Sequence, residues 1–98
     1  MKNIVYVDTN RGSISSHTIE ARVGFDTVAR AMLEQRGREW YVYDVYTKPE
    51  YRKQGISRDI ISHIEEGYGP IIFESENDPF WEKMGYARHD DGFWRKTN

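Results

Sequence analysis

Apolar residues recur mostly with a period of two along the first half of the chain, and near residue 55 the period lengthens to that of a helix. Ile4–Asp8 is β-branched and aromatic, the composition of a strand. The polar run Thr9–Ser16 follows as a turn or loop. In His17–Val23, Ile19, Ala21 and Val23 alternate with Thr18, Glu20 and Arg22, which predicts a half-buried strand. Thr27–Gln35 reads two ways. Val28, Met32 and Leu33 suit a short helix capped by Asp26, built from good helix formers. The same stretch suits a strand, with Val28, Arg30 and Met32 on one side and Ala29, Ala31 and Leu33 on the other. Intrinsic propensity favours the helix and the flanking strands favour a meander. The strand is adopted, with Arg36-Gly37-Arg38 as its hairpin turn.

Trp40–Tyr46 is almost wholly aromatic and β-branched and reads as a strand. Lys48-Pro49-Glu50 ends it, because proline has no amide hydrogen for a ladder. In Gly55–Glu66, Ile56, Ile60, Ile61 and Ile64 fall on one helical face. Gly67 and Gly69-Pro70 are the stop. Ile71–Ser75 predicts a further strand, Asp78 and Pro79 open a short helix through Lys83, and Tyr86–His89 with Gly92–Lys96 reads as a closing hairpin. A strand, a crossover helix and another strand imply a parallel pair. The expected fold is therefore α+β: a mixed, mostly antiparallel sheet with a central parallel strand pair and a crossover helix.

Composition narrows the function. The 98 residues suit one domain spanning 1–98, and 14% aromatic content argues for an ordered core. The net charge of −2 makes no electrostatic case for nucleic-acid or membrane binding. The chain has no cysteine, which excludes disulfides, thiolate metal sites and a cysteine nucleophile. His17, His63 and His89 are scattered without metal-ligand spacing, so no metal is expected. The apolar run Ile4–Val7 is too short for a signal peptide or a membrane span, which leaves a soluble cytoplasmic protein as the default. The aromatics of Trp40–Tyr46 would suit a stacking platform for single-stranded nucleic acid, but core packing explains them more simply.

The stretch that carries chemistry runs from Val45 to Ser57: strand, proline, Tyr51-Arg52-Lys53-Gln54-Gly55-Ile56-Ser57, helix. A turn opening a helix points successive amides at one spot, and the helix N-terminus adds partial positive charge. Together they suit a diphosphate. Gly55 allows close approach, and Arg52 and Lys53 add cationic charge. About twenty residues on comes Ile71–Glu76, then Asn77 and Phe80-Trp81-Glu82-Lys83-Met84-Gly85-Tyr86.

These two segments, in this order and at this separation, resemble the GNAT acetyltransferase superfamily. Its signature is a strand ending V-x-x-P, then Y-R and a Q/R-x-x-G-x-G/A turn, followed later by F-Y-x-K-x-G-F. The resemblance covers Trp40–Tyr86 best and is poor before Trp40. It implies a three-layer α/β variant of the expected fold, with the strand before the turn splayed from the strand after the helix. It also implies transfer of an acyl group, usually acetyl, from acetyl-CoA to an amine on a small molecule or a protein. Coenzyme A would lie along Val45, Tyr46 and Thr47, over Arg52, Lys53, Gln54, Gly55, Ile56 and Ser57, and near Asn77, Phe80 and Trp81. A carboxylate, Glu74 or Asp44, would take the amine's proton.

The chain departs from the family in three places. Ser57 replaces the usual Gly or Ala. Trp81 stands where the family has the tyrosine that protonates the leaving thiolate, and an indole only donates hydrogen bonds. Tyr86 and Tyr46 are the substitutes within the segment. Thr9–Ser16 is too short for the helix pair that usually follows the first strand, so the acceptor site would be open. Three readings follow: an N-acyltransferase; a catalytically silent GNAT-like domain that binds a partner protein or its own copy as a homodimer; and, remotely, a nucleic-acid-binding α+β domain.

Overall fold

The structure is a computed structural model that describes residues 3–10, 15–75 and 78–97, the side chains of Asp78 and Phe80 excepted. Four antiparallel strands come first: β1 (Val5–Asp8), β2 (Ser16–Val23), β3 (Asp26–Arg36) and β4 (Glu39–Thr47). A single 3-10 turn, Pro49–Tyr51, leads to helix α1 (Ile56–Tyr68) and strand β5 (Ile71–Ile72), which pairs parallel to β4. Helix α2 (Asp78–Lys83) and the hairpin β6 (Tyr86–Arg88) and β7 (Trp94–Lys96) complete the order. The sheet runs β1-β2-β3-β4-β5, and a bridge between Phe73 and Trp94 attaches the hairpin at its β5 side. This is the mixed α+β sheet with a crossover helix that the pattern predicts.

Thr27–Gln35 is strand, not helix. It lies inside β3, which pairs on both sides along its length, so Ala29, Ala31 and Leu33 turn into the core. Two ladders of hydrogen bonds and that burial outweigh helix preferences of a few tenths of a kcal/mol per residue. The four isoleucines of α1 pack on this face, all 3% exposed or less. Each contributes about 1.5–3 kcal/mol by leaving water.

Helix α1 runs through Gly67, which the sequence reading takes as part of its stop, to Tyr68. Tyr68 carries the reason. Its ring sits edge-on to Trp40, and its hydroxyl donates to Asp8 Oδ2 at 2.6 Å. Those contacts offset the roughly 1 kcal/mol that glycine costs inside a helix. The other face of the sheet carries Arg30, Glu34 and Arg36, and no helix packs on it among the described residues.

Asp8 gathers three groups at the end of β1. Besides the Tyr68 hydroxyl it accepts the Asn10 amide at 2.9 Å, and His17 Nδ1 lies 2.7 Å away. Burial pushes the Asp8 carboxyl up, but the bonds from Tyr68 and Asn10 and the nearness of His17 outweigh it and hold it below its ordinary value. A depressed carboxyl stabilises the fold above its unfolded-state pKa, and that contribution disappears as pH falls through the folded-state value. Asp8→Asn will therefore cost about 1.5–3 kcal/mol at pH 7, the scale of hydrogen bonds to a charged group. The gap between the variant's melting temperature and that of wild type will narrow as pH falls from 5 to 3. A gap constant over that range would remove Asp8 from the acid response.

Candidate functional site

Strand β4 makes the site by bending. Met32 pairs with Asp44 and Leu33 with Val42, so Tyr43 is an extra residue opposite β3. A bulge of this kind kinks its strand and increases its twist. On the other edge β4 meets β5 only at Trp40–Ile71 and Tyr41–Ile72. Beyond Tyr41, β4 has a paired neighbour on one side only, and the peptide groups of its other edge face a gap. The splay implied by the resemblance is present, and it leaves β5 shorter than the expected Ile71–Ser75. A cavity of about 220 Å³ fills the wedge, lined by residues including Tyr43, Val45, Ile61, Glu74, Ser75 and Trp81.

A second cavity, about 390 Å³, lies at the end of the same strand, against Thr47, Tyr51, Arg52, Lys53 and the start of α1 through Arg58. The turn that forms it is not extended. Lys53 has φ 65° and Gly55 φ 78°, both left-handed. A non-glycine residue held there costs about 1–2 kcal/mol, and such strain gathers at functional sites. No side chain caps α1. The first helical amide to find an acceptor is that of Asp59, on Gly55 O at 3.0 Å. The amides of Lys53 through Arg58 have no acceptor among the described residues. Six consecutive donors at a helix N-terminus, with the Lys53 and Arg58 side chains alongside, form an anion cradle.

The side chains around the cradle explain the local sequence. Arg52 Nε donates to Thr47 O at 3.0 Å, and its guanidinium lies 5.9 Å from the Tyr46 ring centre. Arg52 is thus tied to the end of β4 rather than a mobile charge. Ser57 Oγ lies 2.9 Å from Thr47 Oγ1, a hydroxyl pair that joins β4 to α1. A glycine or alanine here would lack that link, which gives the departure at Ser57 a structural purpose. Gln54 turns away and donates to Glu50 O at 3.3 Å.

The acid–base candidates separate. Asp44 reaches the wedge, but its carboxylate is held by Arg30 at 3.3 Å. Glu74 also reaches it, and its Oε1 accepts the Tyr41 hydroxyl at 2.7 Å. That bond to the carboxylate raises the Tyr41 hydroxyl above its ordinary range. Tyr86 is not brought together with the others. It is 3% exposed and lines a different cavity with Glu65, Lys83 and Lys96. Burial first, and Glu65 second, push its phenol far up. The Tyr46 ring lies between Arg30 and Arg52, outside the set that lines the wedge. Trp81 lines the wedge and packs on Phe73 at 4.2 Å. Asn77 lies outside the described residues, as does the side chain of Phe80. Sequence reasoning missed Tyr41, Tyr51, Arg58 and Ser75. Arg58 had a signal, being one residue beyond the motif on the first turn of the helix.

A splayed parallel pair joined by an uncapped helix defines a class, and the comparisons agree with it. The model of the acetyltransferase (GNAT) domain matches residues 5–88. The chain belongs to the GNAT acetyltransferase family. Among solved structures it is similar to YhhK of E. coli, determined with coenzyme A bound, at TM-score 0.78 and 11% identity over 98% of this chain and 99% of that one. It is also similar to the PaiA N-acetyltransferase of Thermoplasma acidophilum, in complex with coenzyme A, at TM-score 0.72 and 15% identity over 90% of this chain and 64% of that one. A GNAT-family protein of Desulfovibrio desulfuricans gives TM-score 0.69 and 13% identity over 83% of this chain. The chain spans just under two thirds of that last protein, 66%, and of PaiA. Likeness at such identity is one of fold. No protein of curated function matches the chain. Among the described residues no helix is long and apolar enough to cross a membrane.

Proposed function

We propose that the chain is an acetyl-CoA-dependent N-acyltransferase that moves acetyl to a primary amine by direct attack. The observation that carries this reading is the row of amides from Lys53 to Arg58 without acceptors among the described residues, at the mouth of a wedge beside a one-sided strand. The residues fit the group. The amides of Lys53–Arg58 would hold the diphosphate, with Lys53 and Arg58 as counter-charges. The free edge of β4 at Val45, Tyr46 and Thr47 would hold the pantetheine arm through backbone atoms, and Trp81 would bound it across the wedge. When bound, acetyl-CoA supplies the activated acyl group. Glu74 is the base of this reading. Tyr41 fixes its Oε1, leaving Oε2 to take the proton of the attacking amine. Asp44, held by Arg30, orients the strand instead. The acceptor is an amine on a small molecule or a protein, reaching the wedge at the sheet face that no helix covers among the described residues.

Thermal melting with acetyl-CoA tests this reading. Ligand at a hundred times its Kd adds about 2.7 kcal/mol of stability. For a chain of this size that raises Tm by roughly ten degrees or more. An amine panel read by mass spectrometry will then give an acetylated product. No shift would overturn the reading. A shift without any product would favour a silent binding domain.

A further inference from the structure

Two arginines on the sheet face opposite α1 each serve one carboxylate and one tyrosine. Arg36 donates to Glu34 Oε1 at 2.9 Å, and its guanidinium lies 4.1 Å from the Tyr41 ring centre. Arg30 donates to Asp44 Oδ2 at 3.3 Å and lies 5.5 Å from the Tyr46 ring centre. Each time a flat cation is shared between an anion and the negative face of a ring. Tyr43 and Glu74 are a further tyrosine and carboxylate on this face, and they lack the cation. Tyr43 is the bulge residue of β4. Its ring is 43% exposed, touches Tyr41 at 5.9 Å between centres, and has no cation over it among the described residues. Glu74 accepts the Tyr41 hydroxyl and has no cationic partner among the described residues. Both line the same wedge.

Resting on the acetyl-transfer reading for the nature of the ligand, we infer that Tyr43 and Glu74 form a recognition site for one alkylammonium group, and that the acceptor is a small aliphatic amine with a single positive charge. Bound there, the ammonium does what Arg30 and Arg36 do beside it. Its charge faces Glu74, and its N–H and neighbouring CH2 groups lie on the Tyr43 ring. The charges of the face set the limit of one. Glu20, Glu34 and Asp44 already hold Arg22, Arg36 and Arg30, so they offer nothing to a second cation on the ligand. The site also selects by basicity. An alkylamine is an ammonium at neutral pH and gains both contacts, whereas an arylamine is neutral there and gains neither. Tyr43 is therefore a specificity-determining residue, acting together with the Glu74 charge.

Binding without acetyl-CoA tests the site apart from turnover. Butylammonium at pH 7, titrated into isotope-labelled protein and followed by NMR, will shift the signals of Tyr43 and Glu74 along one saturating curve. Butan-1-ol, of similar length and uncharged, will not. Tyr43→Ala will weaken butylammonium binding about fivefold, the scale of one cation–π contact. Tyr43→Phe, which keeps the ring and loses the hydroxyl, will retain the affinity. Glu74→Gln will weaken binding about tenfold, the scale of one contact to a charged group. Butane-1,4-diammonium will bind no tighter than the statistical advantage of its two ends allows. Both positions are exposed, and each variant's amide spectrum reports that it is folded. A Tyr43→Ala affinity equal to wild type, or butan-1-ol binding as well as butylammonium, overturns the site. A diammonium affinity well beyond the statistical advantage overturns the single charge. Failure of the acetyl-transfer reading shows separately, as a missing acetyl-CoA melting shift. Butylammonium bound at Tyr43 in a protein without that shift would overturn the acceptor role and leave the ammonium site standing.

Discussion

Gly55→Val will lose at least about a hundredfold in affinity for coenzyme A. Two effects add. Gly55 sits at φ 78° and ψ 10°, a left-handed conformation that an L-residue enters at about 1–2 kcal/mol, and a β-branched one with more difficulty. A Cβ at Gly55 would meet no protein atom within 4 Å beyond its chain neighbours, so the first cost of the substitution is the backbone conformation. The turn will relax toward ordinary dihedrals, and the amides on either side of residue 55 will then no longer converge. Losing two hydrogen bonds to a charged diphosphate costs about 3–6 kcal/mol, and each 1.4 kcal/mol is tenfold. Gly37→Val is the matched control. Gly37 has φ 63° in the β3–β4 hairpin and equally open surroundings, but it lies away from the cradle. Both variants will lose comparable melting temperature, and only Gly55→Val will lose the ligand. Equal coenzyme A affinity in the two variants would break the link between the left-handed turn and the anion cradle.

That turn was legible because its signal is local. A glycine before an isoleucine stripe marks both the left-handed residue and the helix it opens. The Ile19, Ala21 and Val23 alternation and the four isoleucines of α1 were legible for the same reason: period alone assigns their faces. Thr27–Gln35 was not decided by its own residues, because its strand state depends on β2 and β4 pairing at both edges. The bulge at Tyr43 carries no glycine or proline to announce it, yet it opens the wedge. The site beyond the motif was least legible. Tyr41 and Glu74 are 33 residues apart, and the donors that reach Ser75 stand 6, 13 and 19 residues from it. Partners at such separations are chosen by the fold, and a single chain of letters holds no record of their distances. Tyr86 failed as an acid for a related reason. Its place in the motif was right, but its hydroxyl turns into the core toward Glu65 and not into the wedge.

Trp94 shows how packing and site share one residue, and Trp94→Ala will be the most destabilising core change. The side chain is 1% exposed, lies parallel to Phe73 with ring centres 6.3 Å apart, and carries Arg88 over its face at 5.3 Å. Its amide donates to Phe73 O at 2.8 Å and so attaches the β6–β7 hairpin to the β5 side of the sheet. Removing a buried indole costs about 3–5 kcal/mol, against a total stability of about 5–15 kcal/mol for a protein of this kind. The melting temperature will fall by roughly 12 °C or more, or the chain will not fold. Trp94→Phe separates the two contributions. It keeps most of the apolar area and removes the N–H that reaches Ser75 O, for about 1 kcal/mol, while Arg88 continues to hold that carbonyl. Trp94→Phe will therefore melt within several degrees of wild type. A Trp94→Ala protein melting within a few degrees of wild type would mean that the hairpin holds to the sheet without its indole.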